Sequence, residues 1–273
     1  MVEQGVKNGM PNWRPVDDMT ESELNAAFHS SEKVSLPTPF YNATLARAFV
    51  QRGVRDDIGG GCDDESDAFR NSACAQPEYT VVLVAHPETG EVFGFVSRGH
   101  NFGFKPAPET YAAKPELVCT VVRRFFAGCV DHYVDDYATC EPKFALGPRR
   151  GHAVRALQRP WSAQGVLFRV AHTMGAPVSA EKHDAWSPRP VFIGVLTDLT
   201  EIHTRERITL RCKDSTRTKV EALVRSYLER GATMSPGNAS TLAGKCQWAL
   251  VRGGTARAAL SAIYKRACAR TYH

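Results

Sequence analysis

His132-Tyr133-Val134-Asp135-Asp136-Tyr137 is the stretch on which the reading of this chain turns, with Phe125, Phe126 and Val130 before it and Ala138 after it. Two adjacent carboxylates in an otherwise β-prone run are costly to bury unless a cation or hydrogen-bond donors neutralise them. Neighbouring side chains on an extended strand point to opposite faces, so both can reach one ion only at a tight hairpin turn. Taken alone, Asp-Asp reads better as an exposed turn.

A second acidic string, Asp63-Asp64-Glu65-Ser66-Asp67, places Asp64 71 residues before Asp135 and is followed by Ala68-Phe69-Arg70. Magnesium in phosphoryl-transfer sites is held by a few carboxylates together with substrate phosphate oxygens. Two such ions, about 4 Å apart, can clamp the attacking and leaving oxygens of an in-line displacement.

Further strings fall in order around these two. They are Trp13-Arg14-Pro15-Val16-Asp17-Asp18 with Asn25, Asn101-Phe102-Gly103-Phe104-Lys105-Pro106-Ala107-Pro108, Met174-Gly175-Ala176-Pro177-Val178-Ser179-Ala180-Glu181-Lys182 and Phe192-Ile193-Gly194. Tyr133-Val134-Asp135-Asp136 resembles the Y-x-D-D turn of reverse transcriptases, and Asp64 to Phe69 resembles their first catalytic strand, D-x-x-x-A-Y/F. The other strings are similar, in the same order, to the fingers string, the template-supporting segment, the L-G-x-x-(V/L)-(S/A)-x-x-K segment and the primer-grip strand. Ser235 to Val251 is similar to a stretch that follows the thumb in retrotransposon enzymes. Each match alone is weak. Six in order, spanning almost the whole chain, identify a resemblance to reverse transcriptases of the LTR/DIRS-like retrotransposon type.

That resemblance implies an α+β right-hand polymerase. Residues 1–54 would form a fingers-like part, 55–200 a palm with an antiparallel sheet and interleaved fingers elements, and 201–273 a helical, basic thumb- or connection-like region. It implies an RNA-directed DNA polymerase, a nucleotidyltransferase that extends a primer 3′-hydroxyl with dNTPs on an RNA or DNA template-primer duplex. Asp64, Asp135 and Asp136 would hold two magnesium ions, with manganese as a substitute, and Lys182 would donate a proton to the leaving pyrophosphate. Phe69 would lie beneath the incoming sugar and exclude a 2′-hydroxyl. Arg14 and Lys7 would contact the triphosphate, Phe102 would support template and nucleotide, and Gly103 would let the backbone approach them. Arg252, Arg257, Lys265, Arg266 and Arg270 would run along duplex phosphates, a salt-sensitive attachment.

Bulk properties agree. At 273 residues and 43% hydrophobic, the chain can bury a sizeable core. Residues 201–273 carry 14 Lys and Arg against 5 Asp and Glu, a balance of +9, whereas residues 1–200 carry 20 against 24, a balance of −4. A basic third on a slightly acidic remainder reads as a polyanion grip or as a solvated basic surface. Eight scattered cysteines show no zinc spacing and point to a reducing compartment. Nothing approaches the roughly 18 apolar residues of a membrane span, which leads to the expectation of a soluble intracellular protein, nuclear or cytoplasmic.

Local patterns predict a short helix in Glu21 to Phe28, a hairpin from Tyr79 to Ala85 and Val92 to Val96, a helix over Gln164 to Met174 and an extended segment from Pro190 to Leu196. They also predict a helix carrying Val220, Leu223, Val224, Tyr227 and Leu228, a second capped by Ser235-Pro236, and a last over Ala256 to Ala269. Gly59-Gly60-Gly61 reads as a loop. Asn101 stands where the family usually has proline. The chain opens almost at the fingers string and ends before a ribonuclease H constellation, so fusion to or association with ribonuclease H or integrase/recombinase parts is expected. Two other readings remain: a catalytically inactive reverse-transcriptase-like nucleic-acid-binding protein or retroelement relic, and an unrelated metal-dependent phosphotransferase.

Overall fold

Apolar residues at helical spacing build two helices that the sequence reading passes over: α2 (Tyr41–Gln51) and α3 (Ala107–Phe126). In α3 the buried positions Tyr111, Pro115, Val118, Cys119 and Val122 recur every three or four residues, a stripe that outweighs the proline in its middle. The computed structural model describes residues 2–7, 10–14, 24–27, 34–73, 77–86, 88–101, 104, 106–146, 161–230, 234–249 and 260–268. The remaining elements, in chain order, are β1 (Val2–Lys7), β2 (Met10–Arg14), α1 (Leu24–Ala27), β3 (Ile58–Asp64), β4 (Val81–Ala85), β5 (Val92–Val96), β6 (Val130–Tyr133), β7 (Asp136–Pro142) and α4 (Ala163–Thr173). There follow β8 (Asp184–Ser187), β9 (Val191–Phe192), β10 (Val195–Asp198), β11 (Thr209–Cys212), α5 (Asp214–Arg230), α6 (Pro236–Ala249) and α7 (Ser261–Ala267). The protein is therefore a mixed helix and strand fold, and β1–β2, β3–β8, β4–β5, β9–β10 and β10–β11 pair antiparallel.

The chain divides into two units, and β3 and β7 each run through both. The first unit takes Met1–Leu36, Asp63–Tyr137 and Gly165–His183. Its core joins Val118, Cys119 and Val122 of α3, Val130 of β6, Tyr137 of β7, and Val166, Leu167 and Ala171 of α4. Arg123 ties α3 to β6: its Nε donates to the Val130 carbonyl (2.8 Å) and its guanidinium pairs with Asp131 (2.9 Å). The expected β4–β5 hairpin is present, Val81 opposite Val96 and Ala85 opposite Val92, yet Leu83 is 71% and Phe95 57% exposed.

The second unit takes Pro37–Cys62, Ala138–Gln164 and Asp184–His273. Ala46 of α2 packs with Ile58, Cys140, Leu199 and Ile202. A separate cluster of Leu242, Cys246 and Leu260 gathers α5, α6 and α7. Ser235 caps α6 as expected, its Oγ accepting from the Asn238 N–H (3.3 Å). α7 covers the described part of the expected last helix. The segment expected as one extended run from Pro190 is instead a hairpin, β9–β10, because Ile193 and Gly194 both take positive φ (50° and 73°) and reverse the chain in two residues.

Gly59-Gly60-Gly61 corrects the sequence reading more sharply. The run is not a loop but the buried centre of β3. A Cβ at Gly59 would lie 2.4 Å from the Ser187 carbonyl oxygen, at Gly60 2.2 Å from that of Thr139, and at Gly61 2.1 Å from Gln164 Nε2. Glycine is required here by close backbone approach, not by turn geometry. Gly60→Ala is therefore expected to lower the unfolding free energy by about 1–3 kcal/mol. In α6, Gly244→Ala meets nothing within 4 Å and is expected to raise it by about 0.5–1 kcal/mol. Urea midpoints at unchanged slope check both.

Candidate active site

The hairpin that carries Asp135 and Asp136 is tight. β6 ends at Tyr133 and β7 begins at Asp136, so Val134 and Asp135 form a two-residue loop. Val134 sits at φ 56°, a conformation that a β-branched residue adopts only when its surroundings enforce it. His132, almost fully buried, donates a hydrogen bond from Nδ1 to the Val134 carbonyl (3.2 Å). The turn geometry that the Asp-Asp pair needs to present both carboxylates together is thus present.

Backbone hydrogen bonds bring the first acidic string to this turn. The Glu65 N–H donates to the Asp135 carbonyl (2.9 Å), the Ser66 N–H to the Pro177 carbonyl (2.8 Å) and the Ser179 N–H to the Asp64 carbonyl (2.8 Å). Residues 177–179 therefore run antiparallel to Asp64–Ser66, with Glu65 bridged to Val178. A short 3-10 turn at Ala180–Lys182 then carries Lys182 back, and its Nζ pairs with Asp64 Oδ1 at 2.6 Å. Asp64, Asp135, Asp136 and Lys182, four residues from three separate sequence strings, are gathered in one unit.

The electrostatics show how close they are. Burial, then the Asp135 and Asp64 carboxylates, push the Asp136 carboxyl up to about 6, with Lys182 pulling the other way. Carboxylate oxygens are the donors that a hard dication such as magnesium takes. Among the described residues, no three carboxylate, imidazole or thiolate groups already converge at metal-ligating geometry.

Behind the acidic edge lies a buried polar cluster. Glu65 is 2% exposed and accepts from the Tyr111 hydroxyl (2.6 Å) and the Tyr137 hydroxyl (3.4 Å), and it pairs with Lys114. Burial first, then the Glu65 carboxylate, push both phenols far up, so both remain O–H donors. Phe69 stands against Tyr111, ring centroids 4.9 Å apart. Nearby, His183 Nδ1 meets Asp63 Oδ1 at 2.5 Å, both side chains buried. Sequence reasoning does not single out Glu65, Tyr111 or Lys114. A signal existed at Tyr111, which leads the buried stripe of α3.

The other expected site residues are placed in part. Arg14 ends β2, opposite Val2, and Lys7 ends β1, opposite Met10. Phe102 and Gly103 lie outside the described residues, as do Arg252, Arg257 and Arg270. Lys265 is exposed on α7, and Arg266 Nε donates to the Met234 carbonyl (2.6 Å). No helix among the described residues is long and apolar enough to cross a membrane.

No family model matches the chain, and no curated protein sequence is similar to it. Among solved structures, the chain is similar to a foamy viral protease-reverse transcriptase in complex with double-stranded DNA, at 12% identity and a TM-score of 0.54. The likeness covers 94% of this chain and 37% of that one, and it supports a reverse-transcriptase-like fold.

Asp136 gives the site a pH signature. Its folded carboxyl titrates near 6 against an ordinary 3.8, so between those values the folded state holds the extra proton, and stability falls as pH rises through the window. Asp136→Asn removes the charge. It is expected to stabilise the protein by on the order of 1–2 kcal/mol at pH 8, a gain that fades as pH is lowered toward 4. Thermal melts of both proteins across that range measure it.

Proposed function

We propose that this chain is the RNA-directed DNA polymerase core of a retroelement of the LTR/DIRS-like type, a nucleotidyltransferase extending a primer 3′-hydroxyl with dNTPs. The observation that carries the reading is the gathering of Asp64, Asp135 and Asp136, where burial and then the other two carboxylates push Asp136 up to about 6, with Lys182 at Asp64. In this reading residues 1–54 serve as fingers, 55–200 as palm and 201–273 as a thumb- or connection-like region. The duplex is an RNA/DNA template-primer held through phosphates by the basic C-terminal third.

Asp64, Asp135 and Asp136 would hold two magnesium ions, which when bound supply activation of the 3′-hydroxyl and neutralisation of triphosphate charge. Lys182 holds a proton at Nζ for the departing pyrophosphate oxygen. Phe69, supported from behind by Tyr111, presses on the sugar where a 2′-hydroxyl would sit. Arg14 offers a guanidinium fork to the triphosphate, with Lys7 a second positive charge. Phe102 and Gly103 support template and nucleotide.

A second reading, a reverse-transcriptase-like nucleic-acid-binding protein without catalysis, is favoured by one observation: the Lys182 ammonium already engages Asp64. Primer extension on poly(rA)/oligo(dT) with magnesium separates the two. The polymerase reading expects extension by the wild type and none by the Asp135→Asn, Asp136→Asn double variant. Extension by neither, with duplex binding retained and weakening as salt rises, would select the second.

A further inference from the structure

Glu65 follows Asp64 in the chain, yet its carboxylate is turned into the first unit rather than toward the acidic edge. There it meets the Tyr111 hydroxyl at 2.6 Å, the Tyr137 hydroxyl at 3.4 Å and the Lys114 ammonium, with its side chain 0% exposed. Lys114 also lies over the Tyr111 ring, 5.3 Å from its centroid. A buried ion pair is a poor way to stabilise a fold, since an apolar pair of the same shape does as well or better. A fully satisfied polar cluster does something else: it fixes the groups it binds in one arrangement.

Two parts of the site are fixed this way. Through its main-chain N–H, Glu65 holds the Asp135 carbonyl (2.9 Å) and so the acidic turn. Through its carboxylate, it holds Tyr111, against whose ring Phe69 rests at 4.9 Å and 39°. One residue thus links the carboxylate edge to Phe69.

Resting on the polymerase reading, we propose that Glu65 is a positioning residue: with Lys114 and Tyr111 it sets the placement of Phe69 relative to Asp64, Asp135 and Asp136, and thereby the discrimination between deoxy- and ribonucleotides. Phe69 is the group in contact with substrate. Glu65 acts through Tyr111.

The test measures kcat/KM for a dNTP and its matching rNTP in magnesium-dependent primer extension. Tyr111→Phe keeps the ring but loses the hydrogen bond, and Glu65→Gln keeps the volume but loses the charge. Both are expected to lower the dNTP-to-rNTP ratio about tenfold, chiefly through a lower KM for the rNTP, with kcat for the dNTP changed less than about threefold. In a Phe69→Ala background the same substitutions are expected to leave the ratio unchanged, an outcome that a merely structural role would not produce. A ratio unchanged in the wild-type background, or lowered equally with and without Phe69, overturns the inference alone. If Glu65→Gln fails to fold, Tyr111→Phe decides. A wild type that extends nothing overturns the polymerase reading and this inference with it.

Discussion

The main-chain hydrogen bond from Glu65 to Asp135 sets where the acidic groups of this protein stand. It joins the end of β3 to the loop between β6 and β7, two segments far apart in sequence, and so places Asp64 beside Asp135 and Asp136. Burial and then the repulsion of neighbouring carboxylates push Asp136 upward. A backbone bond is a suitable anchor for such a cluster, because it is made whatever the side chains carry and does not titrate. The second bonded segment, Pro177 to Ser179, works the same way on the other side and leads into the turn that carries the Lys182 ammonium to Asp64.

Much of this was legible in the sequence, because the demand that a pair of adjacent acids places on the backbone is local. The Asp-Asp pair required a tight turn, and the turn is there. The β4–β5 hairpin and the cap at Ser235 were legible because turn and cap residues act locally. The glycine run was not. Its meaning lies in what its missing side chains would strike, Ser187, Thr139 and Gln164, all distant in sequence. Ile193 was illegible for a related reason, since a β-branched residue at positive φ contradicts its own preference and only the surrounding strands impose it.

Glu65 shows a different limit. In the string Asp63-Asp64-Glu65-Ser66-Asp67 every acid looks alike, and burial alone separates them: Asp64 at the edge, Glu65 inside with two tyrosines and a lysine. Alternation along a strand predicts that neighbours face opposite ways but not which face is wet. The helix that supplies Tyr111 and Lys114 decides that, and its own signal is interrupted by Pro115.

Wet on both faces, the β4–β5 ribbon has no apolar core of its own, although Leu83, Val84, Phe93 and Phe95 would ordinarily form one. Among the described residues it forms a sheet of two strands, leaving both outer edges without a neighbouring strand. Such an edge is a template for strand addition by another copy of the same segment. Pairing at such an edge would bring apolar side chains together along with the backbone groups, so each added copy would extend a greasy surface as well as a sheet.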